Sequence, residues 1–257
     1  MAAAQAPSAA SHEIKLGVAS YSLREFSRSL AIKSIKQLNV NYVNIKEFHL
    51  PYNLKPEELE KGRKQFEAAG LKIVGGGTVT FSKEDDGDIR SYFEYSKHAG
   101  IPLMVSAPTA RTLPMLEKFV KEYDIKIAVH NHGPEDKNFP GAADALKLMK
   151  NMDPRIGVCV DIGHQSRSGQ PILEALEMAG PRLLDMHVKD LKNASGKDSQ
   201  CEVGDGVLPI VAIFKLLKKM KYNGYVNLEY EINADNPVPG MAKSFAYMRG
   251  VLAGLAG

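Results

Sequence analysis

The stretch LLDMHVKDL, residues 183–191, carries the argument for the fold. Residues two apart in a strand share a face. Leu184, Met186 and Val188 therefore fall on one side, and Asp185, His187 and Lys189 on the other. The apolar side suits a covering layer of helices. A side holding three titratable groups at consecutive inward positions suits the mouth of a closed barrel.

Working outward, the same kind of unit recurs. KLGVASYS (15–22), YVNIKEF (42–48), LKIVGG (71–76), IPLMVSAP (101–108), KIAVHNH (126–132), RIGVCVDIGH (155–164) and YVNLEYE (225–231) also read as strands. Each is followed by a stretch with apolar residues at three- and four-residue spacing, as a helix requires. The clearest is KPEELEKGRKQFEAAG, with Pro56 near its start and Gly70 past its end. Further helices are expected at about 85–99, 112–123, 141–151, 170–180, 207–220 and 239–254. Alternating strands and helices imply a parallel sheet. Eight such units in 257 residues fit a single (β/α)8 TIM barrel over residues 14–257.

The first 13 residues, MAAAQAPSAASHE, have no periodicity and read as disordered. They lack the basic and apolar regions of a signal peptide. A stub left after signal removal has the same composition, so periplasm and cytoplasm both stay open. Net charge is +3 with the charges interspersed, and the lysine-rich KLLKKMK (215–221) reads as the solvated face of a helix. Neither feature suggests a nucleic-acid partner. No apolar run approaches the roughly 20 residues of a membrane span. Cys159 and Cys201 form neither a disulfide framework nor a zinc cluster.

The polar residues gather at the C-terminal ends of the strands. Strand two ends in Lys46, Glu47 and His49; strand five in His130, Asn131 and His132; strand six in Asp161 and His164. Strand seven ends in His187, Lys189 and Asp190, and strand eight in Glu229 and Glu231. In such a barrel the active site lies at this end. Buried titratable groups cost several kcal/mol unless paired or metal-bound. One histidine at a strand end is most often a structural hydrogen-bonder. Here His130, Asp161, His187 and Glu229 lie on four successive inward faces and converge on one point. Two imidazoles and two carboxylates suit one divalent ion, Mn, Co, Zn or Fe, better than Mg. Lys46, also inward, would sit near developing negative charge, and His49 is placed to touch substrate.

With VDIGH (160–164), MHVKDL (186–191), CEVGDGVLP (201–209) and YVNLEYE (225–231), the chain resembles the xylose isomerase-like barrel superfamily, the sugar isomerase/epimerase group, from about residue 15 to 255. The resemblance implies that Asp161, His187 and Glu229 hold a divalent metal and that His164 lies close to substrate. It departs at strand five. VHNH puts His130 where many epimerases of the group have a glutamate acting as a second acid/base. Proton transfer then falls to His132, His164, Lys46 or Glu229. Lys189 and Glu231 are expected to bind substrate, with Lys189 and Asp190 orienting the strand-seven loop. Some relatives with altered strand-five motifs eliminate from keto-sugars or keto-glycosides, and that subgroup is often exported in bacteria.

The first expectation is a metal-dependent sugar isomerase or epimerase acting through an enediolate. The second is a lyase or dehydratase on keto-sugars or 3-keto-glycosides. The third is a barrel that binds sugar through metal without turnover. A metal-free scaffold for another ligand is a further alternative. The related apurinic-endonuclease family needs more metal ligands than this mouth offers. The glycines at 75–77 and GDG at 204–206 are not phosphate loops. The expected partner is a small carbohydrate; a homo-oligomer stays open.

Overall fold

The computed structural model describes residues 14–256. The expectation of disorder for residues 1–13 lies outside them. Among the described residues ten strands occur: β1 Lys15–Ala19, β2 Tyr42–Ile45, β3 Lys72–Phe81, β4 Leu103–Pro108, β5 Lys126–His130, β6 Ile156–Asp161, β7 Leu183–Val188, β8 Asp190–Leu191, β9 Gln200–Cys201 and β10 Tyr225–Leu228. Eight of them close a parallel barrel in the order β1-β10-β7-β6-β5-β4-β3-β2. The helices are α1 Arg28–Gln37, α2 Pro56–Ala68, α3 Asp86–Ala99, α4 Thr112–Tyr123, α5 Ala142–Met149, α6 Ile162–Arg167, α7 Ile172–Ala179, α8 Ile210–Lys219 and α9 Val238–Gly254. The (β/α)8 architecture is as the alternation implies.

Local chemistry sets the helix starts. Pro56 opens α2, and the Glu58 carboxylate accepts the Lys55 amide at 3.1 Å. The Asp85 carboxylate caps α3 by accepting the Asp88 amide at 2.7 Å. The large core lies between the sheet and the helices, with Val18, Val43, Ile127, Val158, Met186 and Leu228 from the strands among its members. A small second cluster of Leu103, Val105, Ala128 and Cys159 fills the barrel interior.

The differences from the sequence reading are local. β1 stops at Ala19 and turns into a single 3-10 turn, Ser20–Leu23. β3 runs on to Phe81 rather than ending at the glycines. β6 passes directly into the short helix α6, which the strand reading of 155–164 hid. The 183–191 run is broken after Val188, and Asp190–Leu191 pairs antiparallel with Gln200–Cys201. Strict alternation fails at Leu184. Val158 pairs with Leu183, but Cys159 pairs with Asp185, so β7 carries one extra residue. Such a bulge re-aims the side chain at the insertion. Leu184 accordingly packs on the interior cluster instead of facing the helices with Met186 and Val188. Among the described residues no helix is long and apolar enough to cross a membrane.

Candidate active site

The strand ends assemble the site. β5, β6 and β7 carry His130, Asp161 and His187 at their C-terminal ends, with Asp161 opposite His187 in register and His130 opposite Cys159, two residues before Asp161. Glu229 follows β10 directly, its amide donating to the Val188 carbonyl at 3.0 Å. His130 Nε2 lies 3.0 Å from His187 Nδ1, 3.6 Å from Asp161 Oδ2 and 3.9 Å from Glu229 Oε2. His187 Nδ1 lies 3.1 Å from Glu229 Oε2. One ligand atom from each of the four residues falls within 4.8 Å of all the others. That is the span one divalent ion bridges at about 2.0–2.2 Å per bond from nitrogen and carboxylate donors.

The donor atoms themselves favour such an ion. Asp161 Oδ2 is fully buried and makes no hydrogen bond of good geometry; its nearest cation, Lys189 Nζ, stands 3.0 Å off as an ion pair. His130 Nε2 and His187 Nδ1 meet at 3.0 Å, close enough that both would ligate one shared cation. Burial, then the neighbouring His132 ring, holds His130 well below the ordinary imidazole pKa, which keeps it neutral and able to donate a lone pair. The residues present fit one divalent metal of the borderline class.

Two lysines complete the charge balance. Lys189 Nζ contacts Asp161, Glu229 at 3.3 Å and Glu231. Its stem crosses over Gly163, where a Cβ would come within 2.6 Å of Lys189 Cγ. Lys46 Nζ lies 3.3 Å from Glu229 Oε1. Burial alone would raise both carboxyls. The Lys189 charge and the His164 ring pull Asp161 well below the usual range, and His187, Lys46 and Lys189 do the same for Glu229.

Above these groups opens a cavity of about 270 Å³. Lys46, His130, His132, His164, Glu229 and Glu231 line it, as does Thr78 from the unforeseen end of β3 and Tyr21 from the turn after β1. His132 is stacked obliquely on His130 at 4.4 Å between ring centres, with its Nδ1 3.4 Å from Asp136 Oδ2. His164 sits in α6, where burial pushes its pKa down to about 4. Asn131 does not enter the cavity. Its side chain clamps the end of β6, accepting from the Asp161 amide at 2.9 Å and donating to the Asp161 carbonyl at 3.1 Å.

Two expected substrate-binding residues, His49 and Lys189, do not line the cavity. His49 is turned away from the mouth, because the chain reverses over 46–50 with the His49 and Leu50 amides on the Lys46 carbonyl. It is buried, with Nδ1 3.0 Å from Ser20 Oγ and Nε2 3.1 Å from the Leu23 carbonyl, so it ties the turn after β1 to the end of β2 and does not line the cavity. Lys189 lies beneath the cavity among carboxylates rather than lining it. Asp190 alone orders the loop after β7, accepting the amides of Gly204, Gly206 and Leu208 at 3.0–3.2 Å. Glu231 lines the cavity while paired with Lys189.

One layer deeper, Asp185 is buried between two amides: Asn44 Nδ2 donates to it at 2.9 Å and Asn227 Nδ2 at 2.8 Å. Burial pushes its pKa up to about 6.

A closed parallel barrel whose C-terminal mouth carries a His/Asp/His/Glu group able to hold a metal defines the class of protein, a single (β/α)8 barrel with its polar centre at the strand ends. The chain belongs to the family described as xylose isomerase-like TIM barrel, whose model matches residues 32–251. An inosose dehydratase of Klebsiella pneumoniae is 26% identical over 203 residues, covering 70% of this chain and 63% of that protein. The chain thus spans less than two thirds of that relative's length. The structure of an IOLI protein with a binding zinc atom superposes with a TM-score of 0.80 at 17% identity, covering 94% of this chain and 99% of that one. D-Psicose 3-epimerase from Clostridium cellulolyticum H10, solved with D-tagatose, gives a TM-score of 0.75 at 16% identity over 93% and 99% of the two chains. At these identities the structural likeness is one of fold.

Proposed function

We propose that the protein is a divalent-metal-dependent enzyme that removes a proton beside the carbonyl of a keto-sugar or keto-polyol and expels the β-hydroxyl as water. The observation that carries this reading is the convergence of His130, Asp161, His187 and Glu229 directly under a cavity edged by Lys46, His132 and His164. An ion held by those four side chains would supply Lewis-acid polarisation of a carbonyl oxygen.

The chain's own residues divide the remaining work. His132, with Asp136 at its Nδ1, keeps Nε2 as the acceptor for the proton on carbon. The C–H electron pair becomes the new double bond as the β-hydroxyl departs. The Lys46 ammonium, beside Glu229, supplies the proton that lets it leave as water. Glu231 and Thr78 offer polar contacts to the substrate's other hydroxyls.

Elimination is preferred to epimerisation for a reason local to β5. With His130 among the metal donors, Glu229 has no glutamate opposite it to work the second face of the substrate. The dehydratase name of the sequence relative supports the same choice. The isomerase or epimerase outcome shares the first proton transfer and differs only in returning the proton to carbon.

Proton NMR in D₂O tests the reading, using Mn²⁺- or Co²⁺-loaded protein with keto-inositols, ketoses and 3-keto-glycosides. Metal-dependent loss of water to give an enone or its enol is the expected result. Deuterium incorporation with a rearranged sugar would move the assignment to isomerase or epimerase. No exchange on any compound despite bound metal would overturn the enzymatic reading.

A further inference from the structure

His132 and His164 both edge the cavity, with ring centres 5.8 Å apart, yet they are held by opposite partners. His132 Nδ1 lies 3.4 Å from the Asp136 carboxylate, which has only acceptor sites, and that charge favours a proton on Nδ1. His164 Nδ1 faces the guanidinium of Arg167, one helical turn on, with Nη1 at 3.1 Å. A guanidinium has five N–H groups and no lone pair to offer. Two donors cannot share a 3.1 Å contact, so His164 Nδ1 must be the unprotonated nitrogen there.

The guanidinium is fixed in this position. The Arg167 side chain is 5% exposed, and its Nη2 is ion-paired to Glu135. Space for it comes from Gly133, which ends the HNHG run in the left-handed region at φ 78°. A Cβ there would stand 3.3 Å from Arg167 Nη1 and 3.4 Å from the His164 carbonyl. The turn after β5, the carboxylate of Glu135 and the short helix after β6 thus combine to aim one arginine at one ring nitrogen.

We propose that Arg167 is a positioning residue that locks His164 in the Nε2–H tautomer, so that His164 meets the substrate as a hydrogen-bond donor and never as the base. A neutral ring in this state binds an oxygen: the carbonyl, or the hydroxyl that leaves. Together with His132 it gives the cavity one histidine that accepts and one that donates. The consequence for ligand class is a substrate with an oxygen opposite His164 and an acidic C–H opposite His132. This use of His164 rests on the reading of the cavity as the active site; the tautomer itself does not.

Long-range ¹H–¹⁵N correlation of the imidazoles, recorded at pH 7 without substrate, reads the tautomer directly. His164 signals are identified by their loss in His164→Gln. The expected wild-type pattern is an unprotonated Nδ1 and a protonated Nε2 on His164, with the reverse on His132. Arg167→Met should abolish the lock, giving a mixed or reversed pattern on His164 alone, and Arg167→Lys should preserve it. With a turned-over substrate, Arg167→Met should lower kcat by about 10²-fold with KM little changed, as for a misplaced catalytic group, and Arg167→Lys should recover much of it. A protonated Nδ1 on wild-type His164 would overturn the proposal without any variant, as would an unchanged pattern in a folded Arg167→Met protein. The expected tautomer in a protein that turns over nothing would leave the assignment standing and remove the proposed reaction.

Discussion

Asp161 and Asp185 sit on neighbouring strands, both fully buried inside the same barrel, and they titrate in opposite directions. Burial pushes Asp185 up to about 6, and the His187 ring, the Met186 amide and the Asn44 side chain only partly offset that. The same burial acts on Asp161, but Lys189 3.0 Å away and the adjacent imidazoles overcome it. Depth does not distinguish the two; partners do. The upper layer of the barrel is built to keep carboxylates charged, as metal ligation requires, and the layer below is built of neutral donors and an apolar cluster.

The largest test of that contrast removes a charge from the upper layer. Asp161→Ala or His187→Ala should abolish stoichiometric metal binding and lower activity by about 10³-fold or more. Retention of a full equivalent of metal in both, measured by elemental analysis after dialysis, would sink the assignment of the centre. Lys46→Met should leave the metal in place and cost about 10²–10³-fold in kcat. An equal loss of metal would show that Lys46 supports the centre rather than the reaction.

The lower layer is tested by pH. A carboxyl whose folded pKa is raised from 3.8 to about 6 adds stability that is complete below pH 3.8 and lost as pH rises through 6. Asp185→Asn should remove that loss, on the order of 3 kcal/mol across the interval. Urea midpoints of the two proteins that run parallel from pH 4 to pH 7.5 would break the comparison. Smallest is His49→Ala, which removes two buried hydrogen bonds from a side chain that does not line the cavity. It should cost about 1–2 kcal/mol in stability and change kcat by less than about threefold, in line with its lack of contact with the reacting groups. A large fall in kcat at unchanged stability would return His49 to the substrate.

The alternation of polar and apolar residues was enough to find the barrel and the inward direction of Lys46, His130, Asp161, His187 and Glu229. A period of two is set by backbone pleating and survives in sequence. What it could not reveal were the departures from that period. The extra residue at Leu184 looks like part of the alternation until the partner strand is seen. His49 reads as a residue beyond a strand end, but a turn closed by backbone hydrogen bonds reverses its direction. Arg167 and Asp136 escaped for another reason. Each acts on a histidine three or four residues away, and α6 was hidden inside an apparent strand. Lys189 was recognised as polar and inward, but its height relative to the carboxylates depends on Gly163 leaving room for its stem.

The barrel closes where β1 meets β10, and Ser22 stitches that seam, donating to the Leu228 carbonyl at 3.3 Å and accepting from the Tyr230 amide at 2.8 Å. Glu229 lies between those two contacts. Glu229, the fourth candidate donor, is therefore held both by the Val188 carbonyl of β7 and by a pairing of residues more than two hundred positions apart. Contacts of such sequence separation form late, because their loop-closure entropy is met only after nearer contacts exist. In chain order His130, Asp161 and His187 precede Glu229, and the seam beside it joins the first and last strands of the barrel. A chain ending before β10 would hold three of the four candidate donors and no closed barrel, so closure of the ring and completion of the cluster depend on the same strand.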